Sequence, residues 1–91
     1  MSILNDLKEV KEFNGGHQLV YEFPNGLGAS IIRHKNSYGF SKGLWEMAPM
    51  DEKKEFIGRS LMDWDDDVKG YLDEGELVYY LEKIRCLPTP I

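Results

Sequence analysis

The stretch HQLVYEFPNGLGASIIRH, residues 17–34, has the pattern of two strands joined by a turn. Its first seven residues alternate between two faces, as the side chains of a β-strand do. One face carries a histidine and the larger apolar side chains, namely His17, Leu19, Tyr21 and Phe23. The other face carries Gln18, Val20 and Glu22. This alternation predicts a strand over residues 17–23.

The second half of the stretch predicts a return strand. Pro24, Asn25 and Gly26 favour a turn, because proline presets φ and glycine accepts a left-handed conformation. LGASIIRH then follows as another strand. Gly28 lies within it and indicates that another group approaches the backbone closely there.

The residues before this hairpin are compatible with two structures. Apolar residues recur at helical spacing behind a possible N-cap, Ser2; they are Ile3, Leu4, Leu7 and Val10. KEVKEF, followed by Asn14-Gly15-Gly16 and HQLVYEF, instead indicates a hairpin. A short helix leading into a strand near residues 9–13 accommodates both patterns.

Two further elements follow. GLWEMA, residues 43–48, predicts a strand that ends where Pro49 removes a backbone donor. Asp73 and Glu76 then form a capping box, and Leu72 and Leu77 occupy the positions of a hydrophobic staple. The helix that follows has one apolar stripe and ends before two prolines; these residues are Leu77, Tyr80, Leu81, Ile84, Pro88 and Pro90.

Together these elements predict one α+β domain over residues 1–91. We expect a small twisted antiparallel sheet of about four strands, with the C-terminal helix packed across one face. A chain of this length forms only a modest core, so the stability of the protein could depend on self-association. Cys86 is the one cysteine, so no intramolecular disulfide can form. No apolar run is long enough to span a membrane, and the first residues do not have the pattern of a signal peptide. These features predict a cytoplasmic protein.

The net charge of −5 is concentrated in DWDDDVKGYLDEGE, residues 63–76, which hold seven acidic residues and one lysine. Asp63, Asp65, Asp67 and Glu74 have the spacing of an EF-hand loop. Val68 replaces the glycine that such a loop needs, so we predict a solvated acidic turn and no metal site. The same segment could form an acidic face that binds a protein or imitates a short piece of DNA.

No catalytic motif is present, and His17 and His34 are isolated in the sequence. Cys86 follows the apolar stripe of the helix, which predicts a buried structural thiol rather than a nucleophile. We therefore expect no enzyme activity and no cofactor.

The connection RHKNSYGFSKGLWE, residues 33–46, combines cations, aromatic rings and glycines. Its candidate ligand-binding residues are Arg33, His34, Lys35, Tyr38, Lys42 and Trp45. A guanidinium can bind phosphate with two hydrogen bonds, lysines supply charge, and aromatic rings stack on bases. The set suits an anionic ligand that carries a ring. Two observations argue against a shared site. Strand alternation places Arg33 and His34 on opposite faces, and a tryptophan such as Trp45 is more often part of a core.

Two blocks of the sequence resemble a family of small tailed-bacteriophage proteins. They are FPNGLGASIIRHKNSYGFSKGLWE, residues 23–46, and DDVKGYLDEGELVYYLEKI, residues 66–84. Leu27 departs from the family pattern, which has an aromatic residue there, and Ala48-Pro49-Met50 interrupts an apolar strand. The resemblance implies a phage or prophage origin and an accessory protein, and it supplies no established activity.

These observations lead to one functional hypothesis and two alternatives. We expect a non-enzymatic protein that binds a host protein or a nucleotide-like small molecule through residues 33–45, and so blunts a host defence process. We expect neither a membrane nor duplex nucleic acid as a partner. The alternatives are a protein inhibitor that uses the acidic face 63–76 and a minor structural component of the virion.

Overall fold

The computed structural model describes residues 6–13, 15–35 and 37–88. Five strands form an antiparallel sheet in sequence order: β1 Leu7–Phe13, β2 Gly16–Glu22, β3 Gly28–Arg33, β4 Trp45–Met50 and β5 Lys69–Leu72. Helix α1, Gly58–Met62, follows β4, and helix α2, Glu74–Arg85, follows β5. The predicted α+β fold, with the C-terminal helix packed against the sheet, is confirmed, although the sheet has five strands.

The N-terminal residues form the first hairpin. β1 pairs with β2 so that Val10 lies opposite Leu19, and Gly15 in the turn has a φ of 78°. The register shifts between Leu7 and Glu9, which places a β-bulge near the start of the strand. The predicted helix at Ile3 and Leu4 lies outside the described residues.

The second hairpin is confirmed in register and in its turn. Leu19 pairs with Ile31, and Gly26 takes a φ of 89° while its N–H donates to the Phe23 carbonyl at 3.1 Å. A Cβ added at Gly28 would lie 2.4 Å from the Tyr21 carbonyl oxygen. The close approach predicted at Gly28 is therefore made by the neighbouring strand.

The predicted end of β4 at Pro49 is wrong, because the strand continues to Met50 and Pro49 pairs with Ala29. The Pro49 carbonyl accepts a hydrogen bond from the Ile57 N–H at 2.9 Å. In an antiparallel strand the nitrogen and carbonyl of one residue point to the same side. The proline nitrogen therefore points away from β3, and the ladder with β3 loses no donor.

The additional strand, β5, has few of the usual signals of a strand. It is four residues long and pairs with β4 at Trp45 and Met47, with a register shift between them. Tyr71 within it has a φ of 59°, so the alternation of faces is interrupted. The sequence around it, rich in acids and glycine, indicates a turn instead.

Helix α2 covers the sheet as its sequence predicts. Asp73 accepts from the Glu76 N–H at 2.8 Å, and Glu76 accepts from the Asp73 N–H at 3.1 Å, which completes the capping box. Leu77, Leu81 and Ile84 are buried, and each such side chain contributes about 1.5–3 kcal/mol. Within the described residues, neither helix has the length and apolar character needed to cross a membrane.

The prediction that Cys86 is buried is wrong, because its thiol is exposed. Cys86 follows the last helical residue and lies two positions beyond Ile84, which is completely buried. Two residues rotate a helical side chain by about 200°, so Cys86 points away from the core.

Two side chains from outside the helix hold its C-terminal end. Asn25 is buried in the turn between β2 and β3, and its Nδ2 donates to the carbonyls of Ile84 at 2.8 Å, Arg85 at 3.2 Å and Leu87 at 3.0 Å. These carbonyls lie where a helix runs out of internal donors. In addition, Arg85 Nε lies 2.6 Å from Asp6 Oδ2 in a largely buried ion pair. Both hairpins are thereby attached to α2.

Candidate functional site

Arg33 and Trp45 lie together on the face of the sheet that α2 covers. The guanidinium carbon of Arg33 lies 4.2 Å from the centre of the Trp45 ring, and Nη1 donates to the Gly43 carbonyl at 3.3 Å. Trp45 packs against the core, and its buried Nε1 has no acceptor among the described residues. The guanidinium predicted to bind an anion therefore already contacts a ring and a carbonyl.

The other predicted cationic residues lie in different local environments. His34 is 5% exposed, and its backbone N–H donates to Ser37 Oγ at 3.0 Å in a buried turn. Lys35 is exposed beside Gly15 in the turn of the first hairpin, and Lys42 is exposed in a single 3-10 turn, Phe40–Lys42. The structure thus brings together Arg33 and Trp45 but does not gather all six predicted residues around one ligand position.

Tyr38 forms a pair with Tyr71, which lies in the acidic segment 63–76 and was not among the predicted ligand-binding residues. The two rings stack with centres 6.3 Å apart and planes inclined by 26°. They are 59% and 56% exposed, so most of each ring faces solvent. The Tyr38 N–H donates to Glu46 Oε1 at 3.1 Å, which attaches the connection to β4 on the face opposite Trp45.

Each tyrosine of this pair lies against the glycine next to the other. A Cβ at Gly70 would stand 2.4 Å from Tyr38 Cβ, and a Cβ at Gly39 would stand 3.1 Å from Tyr71 Cα. Gly39 also has a φ of 90°, which side chains rarely tolerate. Both contacts therefore require glycine, and the segments Tyr38-Gly39 and Gly70-Tyr71 fit together reciprocally.

The backbone of Tyr71 is strained. Its φ of 59° lies in the left-handed region, which costs a residue other than glycine, asparagine or aspartate about 1–2 kcal/mol. Residues in such conformations cluster at functional sites, where the surrounding structure holds them in place. Here the strain holds a ring that is mostly in solvent. The sequence signal for the pair was the two matching dipeptides, Tyr-Gly and Gly-Tyr.

The acidic segment 63–76 contains Tyr71, and its first carboxylates make local contacts. Asp67 Oδ1 accepts from the Arg59 N–H at 3.0 Å, and Asp66 Oδ1 accepts from the Asp67 N–H at 2.6 Å. Glu74 lies in the first turn of α2. Among the described residues, no group of three or more His, Cys, Asp or Glu side chains is placed to hold a metal ion. Of the carboxylates with EF-hand spacing, Asp67 caps a local backbone donor.

Two depressions lie outside the predicted ligand-binding connection. One, of about 180 Å³, lies between the 23–27 turn and the loop after β4, and the other, of about 250 Å³, lies against Trp64 in the acidic segment. Pockets for small molecules usually measure about 300–1,000 Å³. The tyrosine pair, by contrast, forms an outward-facing surface.

Comparison of the chain with protein-family models, curated proteins and solved structures finds no match in any of the three.

Proposed function

We propose that the chain is a non-enzymatic binding protein that contacts a host protein through Tyr38 and Tyr71 and thereby blunts a host process. The observation that carries this proposal is the reciprocal packing of two exposed tyrosines on two glycines, with Tyr71 at a φ of 59°. Strain that serves only to expose a ring contributes nothing to the stability of the isolated fold. A partner protein that covers the two tyrosine rings gives the backbone strain at Tyr71 a function.

A protein is a better partner for this surface than a nucleotide-like molecule. Tyrosine is enriched where proteins bind one another, because its ring provides apolar area and its hydroxyl a hydrogen bond. The guanidinium of Arg33, the group best suited to a phosphate, is engaged with Trp45 and the Gly43 carbonyl. Lys35 and Lys42 are exposed.

The biological setting in this proposal comes from the sequence. The blocks 23–46 and 66–84 resemble small proteins of tailed phages, which supports a role during infection. A host defence process in the bacterial cytoplasm is the target that an accessory protein of this kind would serve.

The acidic segment supports a second candidate, an inhibitor that binds a basic protein surface. Asp63, Asp65 and Asp66 are exposed, and together with Trp64 they line the depression of about 250 Å³. Carboxylates beside an indole ring would complement lysines and arginines, and the attraction would weaken with salt.

A capture experiment separates these candidates. The native protein is immobilised, bacterial extract is passed over it, and bound proteins are identified by mass spectrometry. Tyr38→Ala/Tyr71→Ala should release the partner, because tyrosines at the centre of an interface contribute about 2 kcal/mol or more each. Tyr79→Ala is the matched control: this tyrosine is 60% exposed on α2 and lies outside the pair.

The variant Asp63→Asn/Asp65→Asn/Asp66→Asn completes the test. It should keep the partner if the tyrosine pair binds it, and lose the partner if the acidic segment does. Thermal melts of all variants establish that they are folded. Full retention of the partner by Tyr38→Ala/Tyr71→Ala would refute the proposal.

A further inference from the structure

Strand β1 is an edge of the sheet. It pairs with β2 on one side, and no strand of the described residues pairs with it on the other. An edge strand presents unpaired backbone N–H and C=O groups that can pair with another chain. Val10, at its centre, is 58% exposed, and the flanking Glu9 and Lys11 are also exposed.

The sequence of β1, LKEVKEF, is charge-complementary to itself. When two copies run antiparallel with Val10 opposite Val10, each Glu9 faces Lys11 of the other copy. Lys8 and Glu12 face each other in the same register. Opposite charges directly across an antiparallel pair stabilise it, and like charges destabilise it.

The same sequence disfavours the neighbouring registers. A shift of one residue places Lys8 opposite Lys11 in one direction and Glu9 opposite Glu12 in the other. A shift of two places Glu9 opposite Glu9, or Lys11 opposite Lys11. Each of the four nearest alternatives therefore brings like charges together, so the charge pattern selects the register centred on Val10.

We propose that a second copy of this chain pairs with β1 about a two-fold axis at Val10. The two sheets then form one continuous antiparallel sheet of ten strands. The interface is isologous and closed, so it produces a dimer and no longer polymer. The bulge lies at the Leu7 end, so the two Glu9–Lys11 pairs beside the axis determine the specificity.

The other edge of the sheet is poorly suited to the same contact. β5 has four residues, a register shift and the left-handed Tyr71. β1, by contrast, pairs with β2 in a regular register from Glu9 onward, so this part of the strand is regular and suited to pairing. In the single chain Glu9 Oε2 and Lys11 Nζ lie 3.9 Å apart on the solvent-exposed strand. In the dimer both side chains would pair with the second copy instead.

The dimer is expected to be weak. A single pair of strands buries less than the roughly 1,600 Å² of a standard interface, and small interfaces are typical of weak, transient complexes. Because the specific contacts are charge pairs at the surface, association should weaken as salt increases. Sedimentation velocity of the full chain from about 1 µM to 1 mM measures the affinity of the dimer and its dependence on salt.

Charge-reversal variants test the register. Glu9→Lys and Lys11→Glu should each lower self-association at least about tenfold, because each places like charges across the two-fold axis. Mixed in equal amounts, the two variants should associate with each other, since every charge pair is then opposite. Glu52→Lys and Lys53→Glu change the net charge equally in an exposed loop and should leave the dimer unchanged.

Three results would overturn the proposal: a wild-type chain that stays monomeric at 1 mM, a dimer that neither reversal weakens, and reversed variants that fail to associate with each other. Because both substituted residues are exposed, circular dichroism should show unchanged folding for every variant. The result does not depend on whether the tyrosine pair binds a host protein.

Discussion

The turn 23–27 and the connection 34–44 lie at opposite ends of β3 and direct their side chains differently. In the turn, Phe23, Asn25 and Leu27 are all buried, and Asn25 is hydrogen-bonded to the end of α2. In the connection, Tyr38 and Phe40 are exposed, and the partner of Tyr38 is held in a strained conformation. One end of β3 stabilises the fold, and the other presents rings to solvent.

The two ends of β3 also differ in the backbone strain that they contain. Among the residues of the turn, the positive φ belongs to a glycine, Gly26, so the turn is formed without this kind of strain. At the other end, Gly39 and the left-handed Tyr71 maintain an arrangement that buries little apolar area. Substitutions at the turn should therefore destabilise the protein, whereas some substitutions at the tyrosine pair should stabilise it.

The largest effect is expected for Asn25→Asp. The change replaces a donor with a carboxylate that faces three carbonyl oxygens in a buried position. The free energy of unfolding should therefore fall by about 3–5 kcal/mol. Urea denaturation at neutral pH measures the loss. Asn25→Ala, which removes the bonds without adding a charge, should lose about 1–3 kcal/mol. Equal losses in the two variants would show that the carbonyls do not face residue 25 closely.

Gly39→Ala should destabilise the chain by about 2–3 kcal/mol, because the new Cβ combines a φ of 90° with contacts at 2.9 Å to Leu44 and 3.1 Å to Tyr71. Gly43→Ala is the matched control. It has a φ of 72°, but no atom lies within 4 Å of its Cβ, so only the backbone penalty of about 1–2 kcal/mol remains. Identical melting temperatures for the two variants would contradict the reciprocal packing.

Tyr71→Asn should stabilise the protein by about 0.5–1 kcal/mol, since asparagine tolerates the left-handed conformation. Tyr38→Asn removes the same contact between the rings but relieves no strain, so its stability should fall slightly or stay constant. Chemical denaturation of both variants gives the comparison. A Tyr71→Asn protein less stable than Tyr38→Asn would mean that the strain at Tyr71 is offset within the fold.

The smallest effect at neutral pH concerns Tyr21, next to the turn. Burial raises the pKa of the Tyr21 phenol above its ordinary value of 10.0, because the charged form is disfavoured there. The folded state therefore holds this proton more tightly than the unfolded state. The resulting stability is complete below pH 10 and is lost as the pH rises through the folded pKa. Tyr21→Phe should flatten the alkaline decline in melting temperature.

Local sequence patterns were sufficient for the parts of the fold that depend on local forces. Alternation in residues 17–23 gave β2, and the capping box at Asp73 and Glu76 gave the start of α2. Pro49 was misinterpreted because the side to which its nitrogen points depends on the neighbouring strand. The exposure of Cys86 depends on where the helix ends, which in turn depends on Asn25, far away in sequence.

The candidate site was harder to predict for a related reason. Arg33 and Trp45 were both predicted as ligand-binding residues of the connection 33–46, and the structure brings their side chains into contact. The pairing of Tyr38 with Tyr71 requires β5 to lie beside β4, and β5 has no clear strand signal. Whether any of these residues binds a ligand stays a prediction.

The attachment of Asn25 to α2 also bears on how the protein ages. Asn-Gly is the dipeptide most prone to spontaneous deamidation, because an unhindered glycine nitrogen can attack the side-chain amide and release ammonia. In the folded chain the Gly26 nitrogen donates to Phe23, and the Asn25 amide is held by three carbonyls. Folding therefore protects the Asn25 amide from deamidation, whereas unfolding exposes it to attack by the Gly26 nitrogen. A chain damaged in this way carries a carboxylate where the helix needs a donor, so it should refold to a less stable protein.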